Sequence, residues 1–337
     1  MKKFLVISAF ILLVNVSKAQ EQYVFNNFMM NDYYYNPAIA GSKDVHYANI
    51  GFRKQWVGFN EAPSTLYANF YGSAGNKMKH GYGASIVSDQ SGLMQNTGFY
   101  LNYAYHIRLN NNWKLGFGIK PGYMQYNVKL YDAQLADAGD AILTGNVLTT
   151  SAFDLNSGLH LYSKKFFFMA SMRNILGDVV KFTAFNDGLS RYYTGIIGYK
   201  WLVNAKKKPE TDEEGNVIKR KKDFELAPTV MFNYVNPVRP QGSVMLKATY
   251  DKKYWLGLTY RSEDAVGVAL GLTIKNRFNL GYAFDYSLGD IKAYNSGSHE
   301  IMLTFQVTSK KPSIEEQDEE LNNSIFDDNK KKKKKEE

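Results

Sequence analysis

Between Asp264 and Gly289 a large apolar side chain occupies nearly every second position, and this alternation constrains the fold more than any other feature of the chain. Val266, Val268, Leu270, Leu272 and Ile274 share one side, with Gly, Ala and Thr between them. After Lys275-Asn276 the pattern resumes as Phe278, Leu280, Tyr282, Phe284 and Tyr286, interleaved with Asn279, Gly281, Ala283 and Asp285. A period of two belongs to extended strands, and the short polar break to a hairpin. Whether the large residues face a protein core or lipid decides what kind of protein this is.

The same reading along the chain places strands near 45–56, 64–73, 79–88, 93–108, 112–128, 150–161, 165–173, 190–203, 224–234, 240–250, 253–261, 265–274, 277–287 and 298–307. That makes fourteen, the even number usual for single-chain bacterial outer-membrane barrels. A β-sandwich core also demands alternation and is the competing architecture. Two features favour lipid. Several strands run to roughly ten residues, the length of a tilted spanning strand, whereas sandwich strands are usually about five or six. The apolar faces also end in aromatics: Tyr254, Leu256, Leu258 and Tyr260 line one side of the eleventh strand. The fold class is therefore all-β, a transmembrane up-and-down antiparallel barrel over 45–307, with residues 20–44 placed to plug its lumen.

Residues 1–19 read as a signal peptide cleaved near Ala19: Lys2 and Lys3, an apolar stretch from Phe4 to Val16, then Ser17-Lys18-Ala19. Mean hydropathy is −0.37, and after the leader no apolar stretch approaches the ~18 residues of a spanning helix. With no cysteine in the chain, disulfides and cysteine-based zinc sites are excluded. The net charge is +9, and basic and acidic clusters crowd into a segment at 204–223 and a tail at 308–337, read as solvated and disordered. These basic runs lack interleaved aromatics, so no nucleic-acid partner is expected. With both termini periplasmic, connections near 57–63, 89–92, 129–149, 174–189, 235–239, 262–264 and 288–297 are extracellular. The 204–223 loop and the tail then face the periplasm, where they are expected to meet a partner.

Catalytic chemistry has little support. Histidines 46, 80, 106, 160 and 299 lack ligand spacing, there is no GxSxG elbow, and the glycines of 116–122 are better explained as small lumen-facing residues. No catalytic, metal or cofactor-binding residue is assigned, and no cofactor is expected. Three stretches look more constrained than lipid contact requires. In "YNPAIAGS" (35–42) Asn36-Pro37 starts a turn, while Ala38 and Gly41 permit close packing. "FRKQWVGFNEAPST" (52–65) carries Arg53, Gln55 and an interfacial Trp56 into an outer turn, with Pro63 opening the return strand. "DYSLGDIKAYNSGSHEIML" (285–303) has Asn295-Ser296-Gly297 as a turn ahead of His299 and Glu300.

With "SIVSDQSG" (85–92, holding Asp89 and Gly92) and "YWLGLTYRSEDAVGVALG" (254–271, holding Arg261 and Asp264), these stretches resemble the PorP/SprF family of the type IX secretion and gliding machinery of Bacteroidetes. The likeness runs from about Gln22 to Val307; the charged tail and the 204–223 insertion depart from it. The resemblance implies a non-enzymatic outer-membrane barrel subunit. It would sit in outer-membrane lipid, bind a secreted cargo or adhesin C-terminal domain, and meet a periplasmic ring or a cell-wall-linked lipoprotein. The alternative is an outer-membrane diffusion channel or small-molecule transporter, for which fourteen strands would serve equally well.

Overall fold

The computed structural model describes residues 25–26, 28–74, 79–129, 147–177, 189–204, 210–211, 217–219, 222–275 and 277–307. The leader and its cleavage point, the charged tail and most of 204–223 lie outside these residues. Fourteen antiparallel strands form the cylinder. They are β1 (His46–Lys54), β2 (Ser64–Ala74), β3 (His80–Ser91), β4 (Met94–Arg108), β5 (Lys114–Lys129), β6 (Val147–Tyr162) and β7 (Phe166–Arg173), followed by β8 (Tyr192–Tyr199), β9 (Phe224–Val235), β10 (Gln241–Tyr250), β11 (Tyr254–Arg261), β12 (Ala265–Ile274), β13 (Phe278–Ser287) and β14 (Ser298–Val307). Each pairs with its neighbours in sequence. Closure comes from β1 on β14, running from His46↔Val307 to Lys54↔His299.

Strand number and meander topology match the sequence reading, with boundaries shifted by a few residues. The expected strand over 190–203 is interrupted at Lys200, beyond which Trp201–Leu202 resumes the pairing in the same register against Leu226 and Glu225. Within the charged segment Glu210–Thr211 pairs with Val217–Lys219 outside the main sheet. No helix among the described residues is long and apolar enough to cross a membrane; the crossing is made by strands.

The pleat sorts the two faces. Ile50, Leu66, Leu258, Leu270 and Ile301 each leave about half their surface uncovered, whereas Arg53, Tyr67, Met231, Met245 and Met302 on the other face are at most 1% exposed. Apolar surface on that scale has no place in water, and a bilayer covers it. Tyrosines bracket the band. Tyr250 pairs with Tyr254 toward the end where β1 begins (the base), and Tyr193 stacks on Tyr234 toward the other end (the rim). Their apolar rings and polar hydroxyls suit the two interfaces.

A cylinder of fourteen strands is wider than its own side chains can fill. The space is taken by residues 25–41. Phe25, Phe28, Tyr33, Tyr35, Asn36, Ala38 and Ala40 are all buried inside the barrel wall. A four-residue helix α1 (Asp32–Tyr35) and a 3₁₀ turn (Pro37–Ile39) fold the segment compactly. Tyr33 stacks on Tyr71 of β2 at 4.1 Å, and Phe25 meets Tyr67 edge-on at 5.0 Å.

The sorting of faces predicts a depth-dependent cost for charge on the outside. Leu258→Lys, in the middle of β11, should lower stability in lipid by about 2–4 kcal/mol, and Tyr254→Lys at the belt by about 1 kcal/mol or less. Denaturant titration in bilayers measures both, and equal costs at the two depths would contradict a lipid-facing band.

Candidate functional site

The residues singled out from the sequence gather at two places on the lumen plug and its surroundings. The first is the turn after α1. Asn36 places its side chain against β6 and β7, where its Nδ2 donates to the carbonyls of Leu159 at 2.8 Å and Ala170 at 3.2 Å. Its Oδ1 accepts from the Ala38 amide at 2.8 Å. A single amide thus closes the turn and ties it to two strands, which neither Asp nor Leu could do with the same atoms. Pro37 opens the 3₁₀ turn, and its carbonyl accepts from Asn102 Nδ2 at 3.1 Å. The Ala40 carbonyl accepts from His106 Nε2 at 2.7 Å, so Nδ1 is left to accept from the Tyr162 hydroxyl at 3.1 Å.

The wall is thinned to admit this backbone. A Cβ on Gly118 would collide with Pro37 and Ala38, one on Gly158 with Asn36, and one on Gly81 with Ala40 and Gly41. Gly41 itself holds φ +80°, the left-handed conformation open to glycine, with the Gly81 backbone across from it. Gly116 and Gly118 belong to the stretch read from sequence as small lumen-facing residues; Gly118 admits Pro37 and Ala38, and Gly116 admits the His106 ring and the Ala38 carbonyl.

The second gathering is a charge lock just below the rim. Arg53 of β1 reaches Asp285 of β13 at 2.8 Å and Glu300 of β14 at 3.4 Å. Arg261 of β11 shares Asp285 Oδ2 at 2.9 Å and also pairs with Asp264. Four of these groups are almost wholly inaccessible, with only Asp264 partly open. The four buried groups, two guanidiniums and two carboxylates, balance in charge, which burial demands, and the third carboxylate, Asp264, is the one that reaches solvent. The plug joins the lock through Asn26, whose amide donates to Glu300 Oε2 at 3.0 Å. The inward positions of the last strands hold few charges, as expected from sequence, but those few converge here with Arg53.

Above the lock the rim loops fasten to each other. Val57 donates to the Gly297 carbonyl at 2.8 Å, and Ser296 donates back to Val57 at 2.7 Å. Trp56, with φ 45°, donates its amide to Ser298 Oγ at 3.1 Å. It is half-buried in the turn and secures the loop. Gln55 donates to the Pro63 carbonyl at 2.9 Å, Gly92 to that of Glu61 at 3.1 Å, and Asn295 Oδ1 receives the Gly297 amide at 2.8 Å. Asp89 lies inward on β3 and accepts from Thr65 Oγ1 at 2.7 Å, clear of the lock's ion pairs.

Of the singled-out residues, one faces away from the lumen altogether. His299 is on the outer face, hydrogen-bonded at 2.7 Å to the Tyr282 hydroxyl, while its neighbour Glu300 points inward. The pleat keeps His299 apart from Asp285 and Glu300. Three lumen contributors were not singled out. Asn26 and Lys120 are a further part of the filling, Lys120 lying 4.6 Å from the Tyr33 ring, and Arg173 lies between Tyr34, Tyr35 and Tyr192 at 5.2–5.8 Å. An inward polar parity for Lys120 and Arg173 was the available signal, but parity alone does not say which ring a cation meets.

A closed cylinder with an apolar outside and a lumen filled by its own N-terminal segment defines a plugged outer-membrane β-barrel. The chain belongs to the PorP/SprF family: the model for the type IX secretion system membrane protein PorP/SprF matches residues 17–305. No protein of curated function matches its sequence significantly. Similar solved structures include a FadL homologue of Pseudomonas aeruginosa, at 7% identity and TM-score 0.42, covering 82% of this chain and 93% of that one. The toluene transporter TodX of Pseudomonas putida gives 9%, 0.44, 85% and 94%, and Omp33 of Acinetobacter baumannii 8%, 0.42, 78% and 99%. These likenesses concern the fold alone.

The lock makes Arg53 the costliest of the singled-out charges to remove. Arg53→Met leaves Asp285 and Glu300 buried with less compensation and should destabilise the barrel by about 3 kcal/mol, against about 1 kcal/mol or less for His299→Leu on the outer face. Equal midpoints for the two variants in detergent unfolding would contradict a structural lock.

Proposed function

We propose that this barrel is a non-enzymatic subunit of the type IX secretion machinery that binds a secreted cargo or surface adhesin through its rim and meets periplasmic machinery through its base. Membership of the PorP/SprF family, matched over residues 17–305, is the observation that carries the reading. Connection lengths support one orientation, since outer-membrane barrels keep short turns on the periplasmic side. The base connections 109–113, 163–165, 251–253 and 275–277 are short; at the rim 92–93, 236–240 and 262–264 are short too, but 55–63, 130–146, 174–191 and 288–297 are long. The base is then periplasmic, and with it the end of β14, the charged tail and the 200–223 connection, long for that side. In this arrangement the tail and that connection are the surfaces for a periplasmic ring or a cell-wall-linked lipoprotein.

At the rim, the cross-braced loops leave Phe59 at 50% and Tyr294 at 72% exposed. Aromatic anchors on a braced loop suit protein recognition, because little side-chain entropy is lost on contact. A lumen filled by Phe28, Tyr33, Asn36 and Ala38 supports a binding subunit over an open diffusion channel.

A strain lacking the gene separates the two readings. Loss of a secretion subunit leaves particular secreted proteins inside the cell while uptake of small solutes is unchanged. Normal secretion with impaired solute uptake would overturn the proposal.

A further inference from the structure

We infer that the plug is threaded through the barrel, so that the mature N-terminus leaves at the rim, across the membrane from the end of β14. The inference rests on the membrane reading and on a leader removed near Ala19, and it replaces the shared side expected for the two termini.

The direction of the plug carries it. Asn26 hydrogen-bonds Glu300, two residues from the rim end of β14, and its Nδ2 lies against Gly267 of β12 and reaches the Phe284 carbonyl of β13 at 3.5 Å. Met30 packs against the cluster of Trp255, Ala269 and Ala283, whose two alanines lie one inward position closer to the base on the same two strands. Lys247 Nζ reaches the Met30 sulfur at 2.8 Å, toward the base end of β10. After α1 the chain crosses to β4–β7 and leaves at the base, where Asp44 accepts from Ser73 Oγ at 3.0 Å and Lys43 lies over the Tyr47 ring at 5.6 Å. From Asn26 to Asp44 the segment therefore runs from rim to base, with its N-terminal end uppermost.

A return to the base is closed to the residues before Phe25. From Glu300 to Val307 the strand covers about 24 Å, or about 18 Å of height once tilted. Five extended residues span at most about 18 Å, which leaves no length for the reversal such a path needs, and Phe28, Met30 and Tyr33 already occupy the route. One consequence follows: traction from the base reaches the plug only through Ser42 to Val45, never through its free end.

The absence of cysteine from the chain allows a clean test by single-cysteine labelling. Gln22→Cys reports on the N-terminus, with Glu21→Cys as a second reporter should the first be poorly expressed. Ala293→Cys in the exposed 288–297 loop marks the rim, and Lys253→Cys in the 251–253 turn marks the base. A membrane-impermeant maleimide is applied to intact cells, then after outer-membrane permeabilisation, then after denaturation. Gln22→Cys should react together with Ala293→Cys, before Lys253→Cys. Reaction together with Lys253→Cys, or only after denaturation, overturns threading. If the Ala293 and Lys253 markers exchange their order, the assignment of rim and base to the two sides of the membrane fails. Threading would still stand as long as Gln22→Cys follows Ala293→Cys.

Discussion

A cylinder of fourteen strands encloses more space than its inward side chains can fill, and the structure is organised around how that space is occupied. Water could fill it, as in a porin, with polar inward residues throughout. This chain instead supplies its own segment, and a backbone brought into a lumen arrives with amides and carbonyls that need partners. Asn36, Asn102 and His106 provide them. Gly81, Gly118 and Gly158 provide the clearance. The polar inward residues and the small inward residues therefore answer one requirement.

The same requirement accounts for the charge lock. A plug held only by apolar packing and a few amide contacts would have no reason to favour one height in the cylinder. Glu300 connects the lock to the plug amide of Asn26, and Arg53 connects Glu300 to Asp285 across the β13–β14–β1 junction where the cylinder closes. Closure of the sheet and seating of the plug thus share one set of buried ion pairs. Such pairs add little stability relative to an apolar substitute, but they are unforgiving of a missing partner, which suits a device that sets register. The rim loops then fasten over the lock through Val57, Ser296 and Gly297.

Much of the fold was legible because alternation is a local signal that lipid contact leaves nearly undisturbed from Val266 to Tyr286. The break at Lys200 left no trace in the sequence, because the apolar pattern continues through Trp201 and Leu202 and the pairing with Leu226 and Glu225 keeps the same register. Asn36, Arg53, Arg261 and Glu300 were singled out from family likeness and local turn chemistry. Their convergence was not legible, since Arg53 and Glu300 are 247 positions apart and meet only when β1 closes on β14. His299 was grouped with Glu300 because they are adjacent, yet adjacency in a strand places side chains on opposite faces. The plug's path was equally hidden, because nothing in residues 25–44 specifies which end of a cylinder they enter.

The account stands on the plug being the fixed core of the barrel. Hydrogen–deuterium exchange of the folded protein in lipid measures this directly, since amides exchange at rates set by how often their surroundings open. The amides of Ala38, Ala40 and Gly41 should be protected to the same degree as those of β4 and β5, which surround them. Exchange of these three as fast as the rim loop 288–297, with the strands still protected, would show a segment that comes and goes and would contradict the account.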